Sequence, residues 1–585
     1  MTDPASKTRQ HCLLALLLAA WMLPGLLGRD PWKADEAYTF GLVQHIIETG
    51  DHLVPTLAGE PFMQKPPLFF STAAVFVKAF GSVLGFGNAA RLANVFFLVV
   101  TLISLGLAGR IILGKGRGWL APVLFMGTIG QVHITHMLIT DVSLVCGFAI
   151  ALHGLLLWQN KPLRAGIITG TGLGVAFMSK GLIGPGLLGL AMLLLPVCFR
   201  QWRSKNYFIC FGIAFVASLP WALIWPVLLY QRSPELFGAW FLENNLSRFI
   251  GHNAVNQIGA LLHIAAIKSD NTIGMRDERY LAFMDFPWFA FPATLLAVFA
   301  FWKNWRTTLA RPGVQLALMN TLIILAVVTA SRNGRSLYIL PVLVPATLLG
   351  ITGFEAITES FAKITRRVCF IGFGFIFAVA WIGWIAQITG QPAPLWNFIY
   401  QKLPTFMPQF QTVPFISALL FTVLWIVWMS GKTNLSRDHA ALHWTAGIAG
   451  IYLFLMTLWL PALESRMSYA HLASLKNALP ADHGCIASLH LGEPQRAMFD
   501  FYAGVKTRRL DLEARDEIMT VKNDDGEKRK HVTVYPEFNC QWFLTEEELF
   551  NKSHRDTQPP SGNWELVWEN IHSGKEVFRL YRRKP

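Results

Sequence analysis

Charge is what this sequence has least of. Only 15% of its 585 residues are Asp, Glu, Lys or Arg, while 53% are hydrophobic. A water-soluble chain of this length divides into several domains and needs far more charge to cover them, so a wholly soluble protein is excluded. Cysteine is scarce as well, with seven residues and none at zinc-finger spacing. Cys12, Cys146, Cys198, Cys210 and Cys369 fall in apolar runs or at their ends, where a thiol is a small packing residue. Cys485 and Cys540 stand apart and can bridge if their segment faces an oxidising compartment. Internal repeats are missing, and so is a nucleotide-binding signature. The run Gly170-Thr-Gly172-Leu-Gly174 lies inside an apolar stretch, where glycine serves helix packing rather than phosphate cradling. The net charge of +14 has no aromatic-interleaved basic patch beside it, so no nucleic-acid partner is expected.

What is present is a succession of apolar runs of membrane-spanning length. Read between charged punctuation, they predict thirteen spans at 11–28, 89–113, 119–138, 140–158, 164–178, 181–199, 206–230, 284–302, 313–330, 336–353, 367–388, 412–430 and 442–463. The first resembles a signal-peptide core, but no small-residue cleavage pattern follows it, so it is read as an anchor helix. Residues 464–585 are charged, broken by Gly and Pro, and hold no run long enough to span. The expected organisation is therefore a polytopic α-helical membrane body over 1–463 and a soluble α/β domain over 464–585. In the latter, 485–491, 497–502 and 541–544 read as short strands, and 564–568 with 576–581 as a closing pair.

Loop cations set the orientation. With the N-terminus inside, the inner loops collect Lys7 and Arg9, Arg110 to Arg117, Lys161 and Arg164, Arg200 to Lys205, Lys303 to Arg311, Lys363 to Arg367, and Lys432 with Arg437. An odd number of spans then puts the C-terminal domain outside, which in a bacterium is the periplasm. Against this frame Lys180, Arg332 and Arg335 are cations on short outer turns. One such residue is explained by snorkelling to lipid headgroups. Three on one face are better explained by an anionic ligand such as a polyprenyl phosphate.

The first outer loop, 29–88, is too long for a connector. It reads Asp35-Glu36-Ala-Tyr38 at the start of an amphipathic helix, then Glu48-Thr-Gly50-Asp51, an extended 53–61, and Lys65-Pro66-Pro67 opening a second apolar helix to about Phe80. Apolar stripes this short predict helices lying in the interfacial plane. Asp35 and Glu36 suit the first turn of a helix, where acids are common. They equally suit a carboxylate that takes a proton from an acceptor hydroxyl.

The run Asp35-Glu36-Ala-Tyr38, the Glu48-Thr-Gly50-Asp51 turn, Leu53-Val-Pro55 and Lys65-Pro66-Pro67-Leu68 resemble one family. It is that of the lipid A aminoarabinose transferase and its relatives among bacterial protein O-mannosyltransferase-like enzymes. These are GT-C glycosyltransferases that draw a sugar from a polyprenyl-phosphate carrier on the extracytoplasmic side. The resemblance covers most of the chain, with the first-loop motif its most specific part. It implies catalytic acids at Asp35, with Glu36 beside it, and at Asp141. It implies phosphate or sugar contacts at Lys65, at Lys180 in the Ser179-Lys180-Gly181 turn, and at Arg248 after Trp240. Further contacts are implied at Arg332, Arg335 and Tyr338, where Arg335 stands for a family Lys; guanidinium holds phosphate with two parallel bonds, so the exchange is compatible. Two positions depart from the family pattern. Gln64 replaces a Glu and Asn244 a His, both implied metal ligands, and neutral amides are poor zinc-type ligands. No metal is therefore expected there, and the departures imply a sugar or acceptor other than the aminoarabinose pair.

The expected activity is hexosyl or pentosyl transfer from a polyprenyl-phosphate sugar to a lipid, glycan or protein acceptor at the periplasmic face of the inner membrane. Such a role belongs with lipid A or other cell-envelope modification. A flippase for a lipid-linked sugar is the main alternative, disfavoured by the lack of inverted repeats and of midplane charges. A non-catalytic membrane scaffold is the other.

Overall fold

In lipid a chain must satisfy its backbone groups internally, and apolar runs meet that demand as helices. A computed structural model describes residues 4–247, 281–330, 336–403, 406–431, 437–511, 515–523, 526–534, 538–548, 563–572 and 576–584. Among them six helices are long and apolar enough to cross a bilayer: Phe86–Leu113, Lys205–Arg232, Pro312–Ala330, Leu337–Glu355, Glu359–Thr389 and Thr412–Ser430. Two bent pairs, Phe283–Phe289 with Ala293–Leu309 and His439–Leu455 with Leu460–Met467, bring the number to eight if each is one span. The chain is a helical integral membrane protein.

Several of the other expected spans are broken or shorter helices among the described residues. The run at 119–138 divides into Leu120–Met126 and Gln131–Ile134. Between them a Cβ on Gly127 would lie 2.5 Å from Thr445 Oγ1, and one on Gly130 would lie 2.3 Å from the Phe289 ring. Neighbouring segments occupy that gap, so the chain turns instead of continuing. Thr140–Leu155 and Ile183–Cys198 have 16 residues each. At about 1.5 Å per residue such helices reach ~24 Å, short of a hydrocarbon core of ~30 Å. The glycine run at 170–174 serves close packing, as its setting implies. A Cβ on Gly172 would lie 2.4 Å from the Ala151 backbone nitrogen, and one on Gly174 would strike the Trp221 ring.

The first outer loop forms the helix Asp35–Thr49, a short hairpin pairing Thr56–Leu57 with Glu60–Pro61, and the helix Leu68–Leu84. Gly50, in the left-handed region at φ 73°, ends the first helix at the expected turn. Residues Glu36 to Val43 are buried, because a helix from the C-terminal segment lies on top of them. That helix, Glu493–Ala503, sets Phe501 edge-on to Phe40, with ring centres 5.9 Å apart. A Cβ on Gly41 would lie 2.9 Å from the Ala497 Cβ, so the two helices meet almost backbone to backbone there.

Residues 497–502, expected as a strand, belong to this helix. Pro494 in its first turn presets a helical φ, and Gly504 at φ 70° closes it. The other strand expectations hold. A five-stranded sheet runs in the order Arg508–Arg509, Ile486–Leu489, Trp542–Glu548, Glu576–Arg583, Trp564–His572. Its first three strands are parallel and the last pair antiparallel. A separate hairpin joins Arg515–Asn523 to Gly526–Val534. Cys485 and Cys540 are bridged, their Cα atoms 4.9 Å apart.

Candidate functional site

The site grows from the start of helix Asp35–Thr49. Residues three apart on a helix share a face, so Asp35 and Tyr38 point the same way. The Tyr38 hydroxyl lies within electrostatic reach of the Asp35 carboxylate and accepts from Lys65 Nζ at 2.5 Å. Burial, and then the Asp35 and Asp141 carboxylates, push the Tyr38 hydroxyl well above its usual range. The phenol therefore stays neutral and accepts from the ammonium. Burial pulls Lys65 down to about 8, Asp141 opposes that first, Lys180 adds to it, and Asp35 and Glu493 oppose it again. These groups act on one another across a small space, although 145 positions of chain separate Asp35 from Lys180.

Asp141, fully buried in the first turn of Thr140–Leu155, caps nothing with its side chain. One carboxylate oxygen is paired with Lys180, and the other is buried without a hydrogen-bond partner. Lys180 ends the helix Pro162–Lys180 and lies over the Tyr338 ring, 4.7 Å from its centre. The turn that carries it depends on glycine. Gly181 has φ 67°, and a Cβ there would come 2.2 Å from Asn245 Oδ1. That oxygen accepts from the Leu182 backbone N–H at 3.1 Å. Ala239–Leu246 is a π-helix, with Asn244 and Asn245 side chains donating to the carbonyls of Ala239 and Trp240. Such irregular helical turns are frequent at functional sites.

Glu36 is set apart from this cluster. It is fully buried and accepts from Arg29 at 2.8 Å and Arg91 at 3.1 Å, and from the backbone N–H groups of Trp32 and Leu138. Burial alone raises such a carboxyl, but the two guanidiniums and two amides outweigh it and hold Glu36 below its usual range. Every approach to it is filled, so its expected catalytic part is corrected to a structural one, fastening the loop to helix Phe86–Leu113. Of the expected residues, Asp35, Lys65, Asp141, Lys180 and Tyr338 come together, and Arg248, Arg332 and Arg335 lie outside the described residues. Two members were missed in the sequence. Tyr38 was signalled by its three-residue spacing from Asp35. Glu493 had no local signal; it comes from the C-terminal segment to accept from Gln64 Nε2 at 2.8 Å.

The donor set at the implied metal position does not fit a zinc-type ion. Gln64 offers an amide already hydrogen-bonded to a carboxylate, and Asn244 turns its amide to its own helix. Among the described residues no group of three His, Cys, Asp or Glu side chains is arranged to hold a metal.

Comparison with known proteins gives this geometry a kinship. No protein-family model matches the chain. It is 24% identical over 344 residues to the undecaprenyl phosphate-alpha-4-amino-4-deoxy-L-arabinose arabinosyl transferase of Serratia proteamaculans, covering 58% of each. To the protein of the same name from Yersinia enterocolitica it is 23% identical over 469 residues, covering 77% of this chain and 76% of that one. The chain thus spans from somewhat over half to about three quarters of the length of these relatives. Its fold matches the crystal structure of ArnT from Cupriavidus metallidurans bound to undecaprenyl phosphate, with a TM-score of 0.65, 15% identity and 98% of both chains covered. The resemblance expected from the first-loop motif therefore holds, in sequence toward the aminoarabinose transferases and in fold toward ArnT.

Proposed function

We propose that this chain is a membrane glycosyltransferase that moves a sugar from a polyprenyl-phosphate carrier to a hydroxyl or phosphate acceptor at the outer face of the bacterial inner membrane. The kinship with undecaprenyl-phosphate sugar transferases supports the reaction class. The observation that carries it to these residues is the meeting of two lysine–acid couples, Lys65 with Tyr38 and Asp35 and Lys180 with Asp141.

In this reading the bond from the sugar's anomeric carbon to the carrier phosphate breaks, and its electron pair leaves with the phosphate oxygen. A new bond forms from that carbon to the acceptor oxygen. Negative charge grows on the departing phosphate, so Lys65 and Lys180, fixed nearby, stabilise the transition state more than the ground state. Arg248, Arg332, Arg335 and Tyr338 are assigned to the same phosphate and its sugar. Asp35, near the Tyr38 hydroxyl, receives the proton of a hydroxyl acceptor and returns it to water. With an anionic acceptor no base is needed, and Asp35 positions the incoming oxygen. Asp141 holds Lys180 in place.

The reaction is assigned to these side chains without a metal, on the neutral amides at 64 and 244. Thirteen crossings, several of them by the shorter and broken helices, a cytoplasmic N-terminus and a periplasmic 464–585 segment belong to the same proposal. The Cys485–Cys540 bridge supports that orientation, since such bonds persist in oxidising compartments. The sugar is a hexose or pentose, and lipid A is one acceptor within reach of this face. Labelled polyprenyl-phosphate sugars offered to membranes carrying the protein test the reading. Label entering a lipid, glycan or protein fraction supports it. Label that only crosses the bilayer on its carrier contradicts it in favour of a flippase.

A further inference from the structure

The C-terminal segment does more than cover the first outer loop. Three of its side chains grip the stretch that leads to Lys65. Arg496 reaches Glu60 at 2.8 Å, and Arg509 reaches the same carboxylate at 3.6 Å. Glu493 then accepts from Gln64, the residue beside Lys65. On the other side of Lys65 stand Pro66 and Pro67, whose rings fix the backbone φ. The lysine is thus clamped between a stiff dipeptide and a side chain tied to another part of the protein. The contacts of Gly41 with Ala497 and of Glu48 with Lys506 show the two helices running in the same direction. Their first residues, Asp35 and Glu493, therefore arrive at the same end, and both act electrostatically on Lys65.

We propose that Glu493 is a positioning residue of the transfer site, holding Lys65 in place through Gln64, so that the C-terminal segment is part of the catalytic unit. This rests on the transferase reading and assigns to it a residue 429 positions away from the one it holds. Removing the contact frees the Gln64 end of the clamp. Lys65 then spends less of its time where the leaving phosphate needs it, and misplacement of about 1 Å at a reacting centre can cost on the order of a hundredfold in rate.

The test uses the full chain, purified in lipid, with a polyprenyl-phosphate sugar that the wild type transfers. Glu493→Ala and Gln64→Ala are each expected to lower kcat/KM about tenfold, with the loss mainly in kcat and the melting temperature close to wild type. Combined, they should cost no more than either alone, because both break one contact. Gln64→Glu alone sets two carboxylates together, and its loss should ease as the pH falls and the pair shares a proton. The exchange Gln64→Glu with Glu493→Gln rebuilds the same hydrogen bond in reverse and should recover most of the lost rate. That last variant decides the matter even if a single substitution folds poorly. Wild-type kcat/KM in Glu493→Ala, or an exchanged pair no better than Gln64→Glu alone, overturns the proposal while leaving the transferase reading intact. Failure of the wild type to move sugar from any donor overturns the transferase reading itself.

Discussion

Lys65 donates to the Tyr38 hydroxyl at 2.5 Å, and its ammonium stands 5.0 Å from the centre of the same ring. The lysine is thereby held at the ring's hydroxyl edge, within electrostatic reach of Asp35. Tyr38→Phe keeps the ring and removes the hydrogen bond from Lys65. Transfer by that variant should fall about ten- to a hundredfold, the range of one positioned donor or proton-handling group. Initial rates with a labelled donor check this, and a variant as fast as wild type would remove Tyr38 from the site.

The low value of Lys65 predicts an alkaline limit. Below about pH 8 the free protein carries Lys65 charged, and above it the ammonium is progressively lost. A bound phosphate favours the charged form, so the value rises in the complex. The profile of kcat/KM should therefore decline above about pH 8, while that of kcat declines at higher pH. Lys65→Arg, which keeps its charge throughout, should flatten the first decline whatever its absolute rate.

Asp35 and Glu36 are neighbours with opposite expected phenotypes. Glu36→Gln leaves two buried guanidiniums short of their counter-charge and should cost about 3–5 kcal/mol of stability, with reduced yield of folded protein. Asp35→Asn should melt near wild type yet transfer little. Thermal melts of both variants in lipid, set beside their rates, separate the two roles.

A second pair of groups predicts acid sensitivity. His471 and His572 stack with ring centres 3.9 Å apart, beside Asn570, Lys33 and Glu576. Burial, and then His572, lower His471 to about 3, and burial, then Lys33, lower His572. Above about pH 6.5 both rings are neutral folded or unfolded, so they add no pH dependence there. As pH falls from that point toward about 3, the unfolded chain binds protons that the folded one refuses, and stability declines. Melting temperature should drop across this window, and His471→Asn with His572→Gln should blunt the drop.

Much of the architecture was legible in the residues. The apolar runs, the helix from Asp35 ended at Gly50, and the strands at 486–489 and 542–548 follow from local pattern, whereas the distance between Cys485 and Cys540 does not. The misreadings share a physical reason. Adjacent helix positions point about 100° apart, so the sequence cannot say which of Asp35 and Glu36 meets the arginines. A short apolar run such as 497–502 suits helix or strand alike until its ends are weighed, and here Pro494 and Gly504 were those ends. The break at 127–130 and the Gln64–Glu493 contact depend on segments hundreds of residues away, for which local pattern holds no sign.

Metal content offers an independent check on the site chemistry. Protein purified without chelator should carry less than one zinc per ten chains, roughly the background of adventitious binding at a site of neutral amides. Stoichiometric zinc lost on Gln64→Ala would show that the amides at 64 and 244 do not rule the ion out.

The central claim is that the Asp35–Tyr38–Lys65 and Asp141–Lys180 groups carry sugar from a lipid phosphate to an acceptor. The most direct measurement is single-turnover transfer of labelled sugar from a polyprenyl-phosphate donor in membranes, for wild type, Asp35→Asn and Lys65→Ala at matched protein levels. Transfer by wild type, with both variants reduced about a hundredfold or more, is the predicted result. Equal transfer by all three would contradict the account.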